Sequence, residues 1–207
     1  AAEVVLDYLL ARAKPPEQIE AYTRKTILCT ACHTDAEAIE AGLNALRLLG
    51  LDIPSCPTEE DIQRELQRVR SLLTPDRLDA FREASQPADP RTRQILALVA
   101  HLIPPASLCN PALFRYLSVF MAGFSLEEGY TEYAPFAMAC FGAFLSGDPM
   151  ELPQVDRLQQ LALELAQKVE AFVPQYRVYY TIGVYMNHWH RHVSSNLDFL
   201  QKCASEA

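Results

Sequence analysis

Fourteen prolines punctuate this chain, and most of them stand between stretches whose apolar residues recur at helical spacing. Proline fixes φ and carries no N–H, so a helix accepts it in the first turn and usually stops where it falls later. Seven glycines are too few to turn a many-stranded sheet, and no segment sustains the period-two alternation of a half-buried strand. The pattern therefore predicts an all-α chain of consecutive helices joined by short turns.

Ala1 to Ala13 is amphipathic, with Glu3 and Asp7 among its apolar residues, and reads as an N-terminal helix. It lacks the basic start and long apolar run of a signal peptide. The chain begins without Met inside this helical pattern, as expected of a piece cut from a longer protein. Glu17 to Cys32 continues at helical spacing through Ile19, Tyr22, Thr26, Ile27, Cys29 and Thr30, with Pro15 and Pro16 suited to its first turn. His33-Thr34-Asp35 interrupts the pattern, and Asp35 is the expected N-cap of a second helix running to about Leu49. Gly50 suits that helix's end and Pro54 follows. Ala38, Gly42 and Ala45 leave room for a close hairpin between the two helices.

The segment 55–90 differs. Thr58 and Asp61 mark a helix start, and the charged stretch to Leu73 keeps a narrow apolar stripe of Ile62, Leu66, Val69 and Leu73. Pro75 begins a short helix to about Ala84, and Pro87 and Pro90 mark a linker. This reads as an exposed, charged helical insertion. From Arg91 the apolar helices resume. Thr92 to Ile103 is expected to stop at Pro104-Pro105, and Asn110-Pro111 caps a helix running to Gly129. Tyr133 to Ser146 is apolar nearly all round and should be buried. Amphipathic helices are then expected over Leu152 to Phe172, Tyr176 to His190 and Val193 to Ala204. Taken together, the chain is expected to hold an N-terminal helix and first hairpin over 1–54, the insertion or linker over 55–90, and stacked helix pairs over 91–207. The expected architecture is stacked antiparallel helix hairpins, a tetratricopeptide-like α-solenoid.

Composition narrows the partners. The formal net charge is −8 with a pI near 5.1 and no basic stripe, which argues against a nucleic-acid ligand. No window of about 20 apolar residues is free of charges or breakers, so no membrane span is expected. The six cysteines are scattered and are expected to be reduced thiols of a cytoplasmic protein.

Four blocks carry a resemblance: Glu37-Ala38-Ile39-Glu40-Ala41-Gly42-Leu43-Asn44-Ala45-Leu46-Arg47-Leu48-Leu49-Gly50 with Ile53-Pro54, then Asn110-Pro111-Ala112-Leu113-Phe114, then Met121 to Gly129, then Asn187-His188-Trp189. In this order they resemble the tetratricopeptide-like helical segment of large signalling proteins that join a serine/threonine kinase-like domain, an AAA-type ATPase, a GAF domain and a histidine kinase. The resemblance implies an accessory helical region whose parent carries catalysis in other domains, and it supplies no catalytic residues. No phosphate-binding glycine loop or kinase signature occurs in this chain.

Two constellations could carry chemistry. Cys29-Thr30-Ala31-Cys32-His33 matches the pattern for covalent haem attachment, in which two thiols bond the porphyrin and the histidine ligates iron. The competing reading is a helix end whose thiols pack as small apolar residues. His188 and His192 stand four apart in the run His188-Trp189-His190-Arg191-His192, and on one helix they would share a face as metal-binding histidines do. No acid or cysteine nearby completes that shell, so the competing reading is a wet helix end with Trp189 packed inward. Asp148, Glu151 and Asp156 form no acid pair, Glu127, Glu128 and Glu132 read as loop solvation, and Ser107, Ser118 and Ser125 lack a nucleophile-elbow context. Tyr176, Tyr179, Tyr180 and Tyr185 form either a binding surface or half-buried core.

The expected function is a non-catalytic, regulatory protein-interaction scaffold without cofactor. It would bind a protein or peptide partner or neighbouring domains of its parent. The alternatives are a haem- or metal-binding helical domain and an enzyme with an unfamiliar site.

Overall fold

The computed structural model describes residues 12–84, 89–168, 172–189 and 191–205, together with Leu6 and Leu10. Among these the chain forms ten α-helices and no strand. They are α1 (Pro15–Ala31), α2 (Asp35–Leu48), α3 (Glu59–Leu72), α4 (Pro75–Glu83), α5 (Pro90–Cys109), α6 (Pro111–Glu128), α7 (Ala134–Leu145), α8 (Leu152–Lys168), α9 (Phe172–Thr181) and α10 (Asn196–Ser205). No helix among the described residues is long and apolar enough to cross a membrane. Most of the helix expected over Ala1 to Ala13 lies outside the described residues, although Leu6 and Leu10 are helical. Pro87 and His190 also lie outside them.

The chain divides into two compact units, Ala1–Arg64 with Gln94–Leu117, and Glu65–Arg93 with Ser118–Ala207. In the first unit, α1 and α2 form the expected hairpin. Ile19, Ala21 and Cys29 of α1 and Ala38, Ile39, Leu43, Ala45 and Leu46 of α2 are buried. Thr23, Thr26 and Thr30 each donate their hydroxyl to the carbonyl four residues earlier, which lets Thr26 be fully buried without an orphan group. Gly42 is needed for a close approach, but to α5: a Cβ there would lie 2.5 Å from the Leu102 Cδ2 atom. At the end of α2, Gly50 takes φ 81°, Leu51 N–H donates to the Leu46 carbonyl and Gly50 N–H to that of Arg47. This is the two-bond left-handed helix stop that glycine favours.

Two expectations about boundaries are corrected. Asp35 is the first helical residue of α2 and Thr34 is its N-cap. α5 does not stop at Pro104-Pro105 but runs to Cys109. The two prolines remove two N–H donors from that turn. The helix continues past them, Asn110 N–H donates to the Ala106 carbonyl at its end, and the burial of Leu102, Ile103 and Ala106 holds the helix through the interruption.

The segment expected as an exposed insertion contributes to the core. Ile62, Leu66, Val69, Leu72 and Phe81 are buried. The apolar stripe was readable, and it closes on Leu72 rather than Leu73. Its start follows the sequence: Asp61 accepts from Thr58 N–H and the Thr58 hydroxyl, and Thr58 accepts from Asp61 N–H. These bonds, the hydroxyl's first, hold the Asp61 carboxyl below its ordinary 3.8. Its folded value being depressed, this cap contributes stability above pH 3.8 that is lost as pH falls through the lower folded value.

In the second unit, α7 and α8 form another hairpin, turned by Ser146 to Glu151. Nearly every residue of α7 is buried, including Phe136, Met138, Cys140 and Phe141. Burial pushes the Cys140 thiol well above the ordinary cysteine range, so it packs as a neutral core residue. Arg68 of α3 lies between Glu65 and Glu127 and bonds to both. Burial works against its charge, but the two carboxylates outweigh it and hold the guanidinium protonated. Gly123 of α6 makes this possible, since a Cβ there would lie 2.7 Å from both the Arg68 Nη2 and the Val69 Cγ2 atoms.

Candidate functional site

The sequence places three candidate clusters, and the structure treats each differently. At Cys29 to Thr34 the backbone forms a second helix stop of the kind seen at Gly50. Thr34 N–H donates to the Cys29 carbonyl, His33 N–H to that of Thr30, and His33 takes φ 59°. The spacing Cys-x-x-Cys-His therefore coincides with the last turn of α1, its cap and its left-handed residue. Cys29 is buried with its Sγ atom 3.9 Å from Glu37 Oε2, whereas Cys32 is exposed. Only one of the two thiols packs as a small apolar residue. A left-handed conformation costs an L-residue about 1–2 kcal/mol, part of which glycine returns to the unfolded chain as entropy. His33→Gly should therefore raise stability by about 1 kcal/mol in urea denaturation. A loss of stability would show that the imidazole makes contacts that matter.

His188 and His192 do not share a helix face. Asn187–Trp189 is one 3-10 turn and His192 caps another, Val193–Ser195, from an extended conformation with ψ 137°. The His188 ring lies beside Trp189, with centroids 5.0 Å apart, and His192 Nδ1 faces the Ser194 hydroxyl at 2.8 Å. Among the described residues no group of three or more His, Cys, Asp and Glu side chains is placed to hold a metal ion.

Of the four tyrosines, Tyr180 and Tyr185 are brought together by a feature that fixed helical periodicity does not predict. The expected regular helix from Tyr176 to His190 is replaced by α9, a π turn over Ile182–Met186 and the Asn187–Trp189 turn. A π turn bonds i to i+5 and so aligns residues five apart. Tyr180 and Tyr185 accordingly meet edge to face with centroids 6.4 Å apart and an interplanar angle of 76°. The wide turn is closely packed on both sides. Met186 seats against Gly142 of α7, where a Cβ would lie 2.3 Å from Met186 Cε, and Gly183 sits 3.0 Å, measured from an added Cβ, from the Phe199 Cβ atom of α10. Ser146 at the end of α7 donates its hydroxyl to the Tyr185 carbonyl at 2.9 Å, satisfying a group the wide turn displaces.

The outcome is a half-open aromatic face. Tyr180 and Tyr185 are 47% and 43% exposed, and Trp189, expected to pack inward, is 50% exposed. Val193, Leu197 and Leu200 continue the exposed apolar residues onto α10. Tyr176 and Tyr179 are half-buried beneath cations: the Arg177 Nε atom donates to the Tyr176 hydroxyl at 3.1 Å, and Lys202 Nζ lies 5.7 Å from the Tyr179 ring centre. Burial first, and the Tyr180 hydroxyl next, push the Tyr185 phenol up, so it stays a neutral donor. Charges on this stretch run against those of the whole chain. From Tyr176 to Ser205 the described residues carry Arg177, Arg191 and Lys202 against Asp198, while the chain as a whole is −8.

Asn187, which the sequence offers only as part of the fourth block of the resemblance, ties the start of α10 to the turn Asn187–Trp189. It is fully buried and its amide donates to the Ser195 hydroxyl at 2.7 Å and to Asn196 Oδ1 at 2.6 Å. Asn187→Ala should destabilise by about 2 kcal/mol, because both acceptors lose a buried donor. Hydrogen exchange should quicken first in α10; unchanged α10 protection would show that the amide holds nothing in place.

No known protein family, curated protein or solved structure matches this chain with statistical significance.

Proposed function

We propose that this chain is a non-catalytic, regulatory protein-interaction scaffold that holds an acidic, apolar protein segment against the face of Tyr180, Tyr185, Trp189 and α10. The observation that carries this reading is the coincidence of exposed aromatic rings with local positive charge on an acidic chain. Tyrosine, tryptophan and arginine are the residues that dominate binding energy at interfaces. A partner bearing Asp or Glu beside leucine or phenylalanine complements both properties, and the charges would steer its approach. In the same reading the helix hairpins stack as a tetratricopeptide-like solenoid, and the chain serves as the helical segment of a cytoplasmic ATPase–histidine kinase signalling protein. The segment it holds then belongs to a neighbouring domain of the parent or to a separate protein of the same surface chemistry. The resemblance of the four sequence blocks supports this placement.

Trp189 is the single tryptophan, so its emission reports on the proposed face directly. Synthetic helical peptides pairing Glu with Leu and Phe should blue-shift and quench it, and charge-reversed peptides should not. Trp189→Ala or Tyr185→Ala should weaken binding by about tenfold or more, read by calorimetry. Raising salt from low to physiological should weaken it further. Acidic and charge-reversed peptides binding equally, or Tyr185→Ala binding undiminished, would overturn the reading.

A further inference from the structure

The first unit holds a second feature, independent of the aromatic face. Ile39 and Leu43 of α2 floor a groove of about 470 Å³ whose charged edge includes Glu40 and Arg47. Cys56 and Cys109 both line it. These come from distant parts of the sequence, one from the irregular connection between α2 and α3, the other from the last residue of α5. Asn110 draws them together. Its side-chain amide donates to the Ser55 carbonyl at 2.8 Å, while its oxygen accepts from Leu113 N–H and caps α6. Each cysteine is the chain neighbour of one end of that bond. Both thiols are free and exposed.

We propose that Cys56 and Cys109 are a paired-thiol modification site for oxidants of the hydroperoxide class, which closes to a disulfide in the groove lining. The other cysteines are not arranged for this chemistry. Cys29 and Cys140 are buried, Cys32 at the end of α1 has the buried Cys29 as its sequence neighbour, and Cys203 belongs to the other unit. The roles of the two sulfurs differ. Cys109 donates to the Pro105 carbonyl at 3.3 Å, and desolvation, with the Asp35 carboxylate second, holds its thiol above the ordinary range. Cys109 is thus tied to its helix end as the resolving sulfur, and Cys56, on the irregular connection, is the attacking sulfur.

The Cys56 thiolate attacks one oxygen of hydrogen peroxide, the O–O bond breaks, and the other oxygen leaves as hydroxide, which becomes water on taking the proton Cys56 released (an organic hydroperoxide releases its alcohol instead). Cys56 is then a sulfenic acid. The Cys109 sulfur attacks the Cys56 sulfur, the S–O bond breaks, the S–S bond forms, and the hydroxyl leaves as a second water with the Cys109 proton. Two thiols and one peroxide give one disulfide and two waters, with two electrons passed from sulfur to oxygen. The connection carrying Cys56 is not helical, so it can move toward α5 without breaking a helix. Asn110 acts here as a positioning residue.

The test is to treat the whole chain with stoichiometric hydrogen peroxide, block remaining thiols and map linked peptides by mass spectrometry. A Cys56–Cys109 peptide should dominate and vanish on treatment with a dithiol reductant. In Cys109→Ser, dimedone labelling of Cys56 should rise by about tenfold, because the sulfenic acid has no resolving thiol. Asn110→Ala should reduce the linked peptide relative to labelled Cys56. A Cys203→Ser control should match the parent chain. Labelling of Cys56 that is equal with and without Cys109, or linkage to Cys32 in place of Cys109, would overturn the proposal, and neither result bears on the aromatic face.

Discussion

Phe141→Ala should destabilise the unit Glu65–Arg93 with Ser118–Ala207 by about 3–5 kcal/mol, the cost of deleting a large ring from a filled core. Phe141 has no exposed surface, and its ring stacks on Phe144 at 6.4 Å with an interplanar angle of 11°. Its helix is buried on almost every side. Such a site cannot collapse by moving one wall, because each wall is itself packed. Urea denaturation gives the magnitude, and hydrogen exchange gives its location: amides of α7 and α8 should lose protection before those of α1 and α2. A cost below about 1 kcal/mol would mean that the ring fills space the core does not need.

Arg68→Met should cost about 2 kcal/mol, less than for a fully buried pair because all three side chains keep some solvent contact. The loss is mainly of a counter-charge. Glu65 is nearly buried and Glu127 points at the same place, so removing the guanidinium leaves two carboxylates facing each other. Adding Glu65→Gln and Glu127→Gln to the variant should recover much of the loss at pH 7. No recovery would place the cost in lost packing of the arginine stem.

The parts of the fold that were legible are those written in local chemistry. Thr58 with Asp61, Asn110 with Pro111, and Gly50 mark helix ends through bonds made within a few residues, and each stands where its chemistry requires. Elements decided by distant neighbours were not legible. Pro104 and Pro105 ought to end α5, but burial on both sides of them keeps the helix going. His33 fills a position that glycine normally holds, so a helix stop resembles a haem motif. The tyrosines were visible as candidates, whereas Trp189 was assigned inward. Between them stands the π turn, which packs against Gly142 of α7 and Phe199 of α10. A periodic reading that keeps one angle per residue cannot anticipate it.

The π turn also has a meaning for chain length. A wide turn is the mark of one extra residue accommodated in a helix. Removing one residue between Ile182 and Met186 would let the ordinary helix re-form and rotate everything after it by about 100°. Tyr185 would then leave Tyr180, and Trp189 and α10 would swing away with it. The orientation of the aromatic face is thus set by a count of residues as much as by their identity. Related chains that keep every tyrosine yet lack that one position would present a different surface.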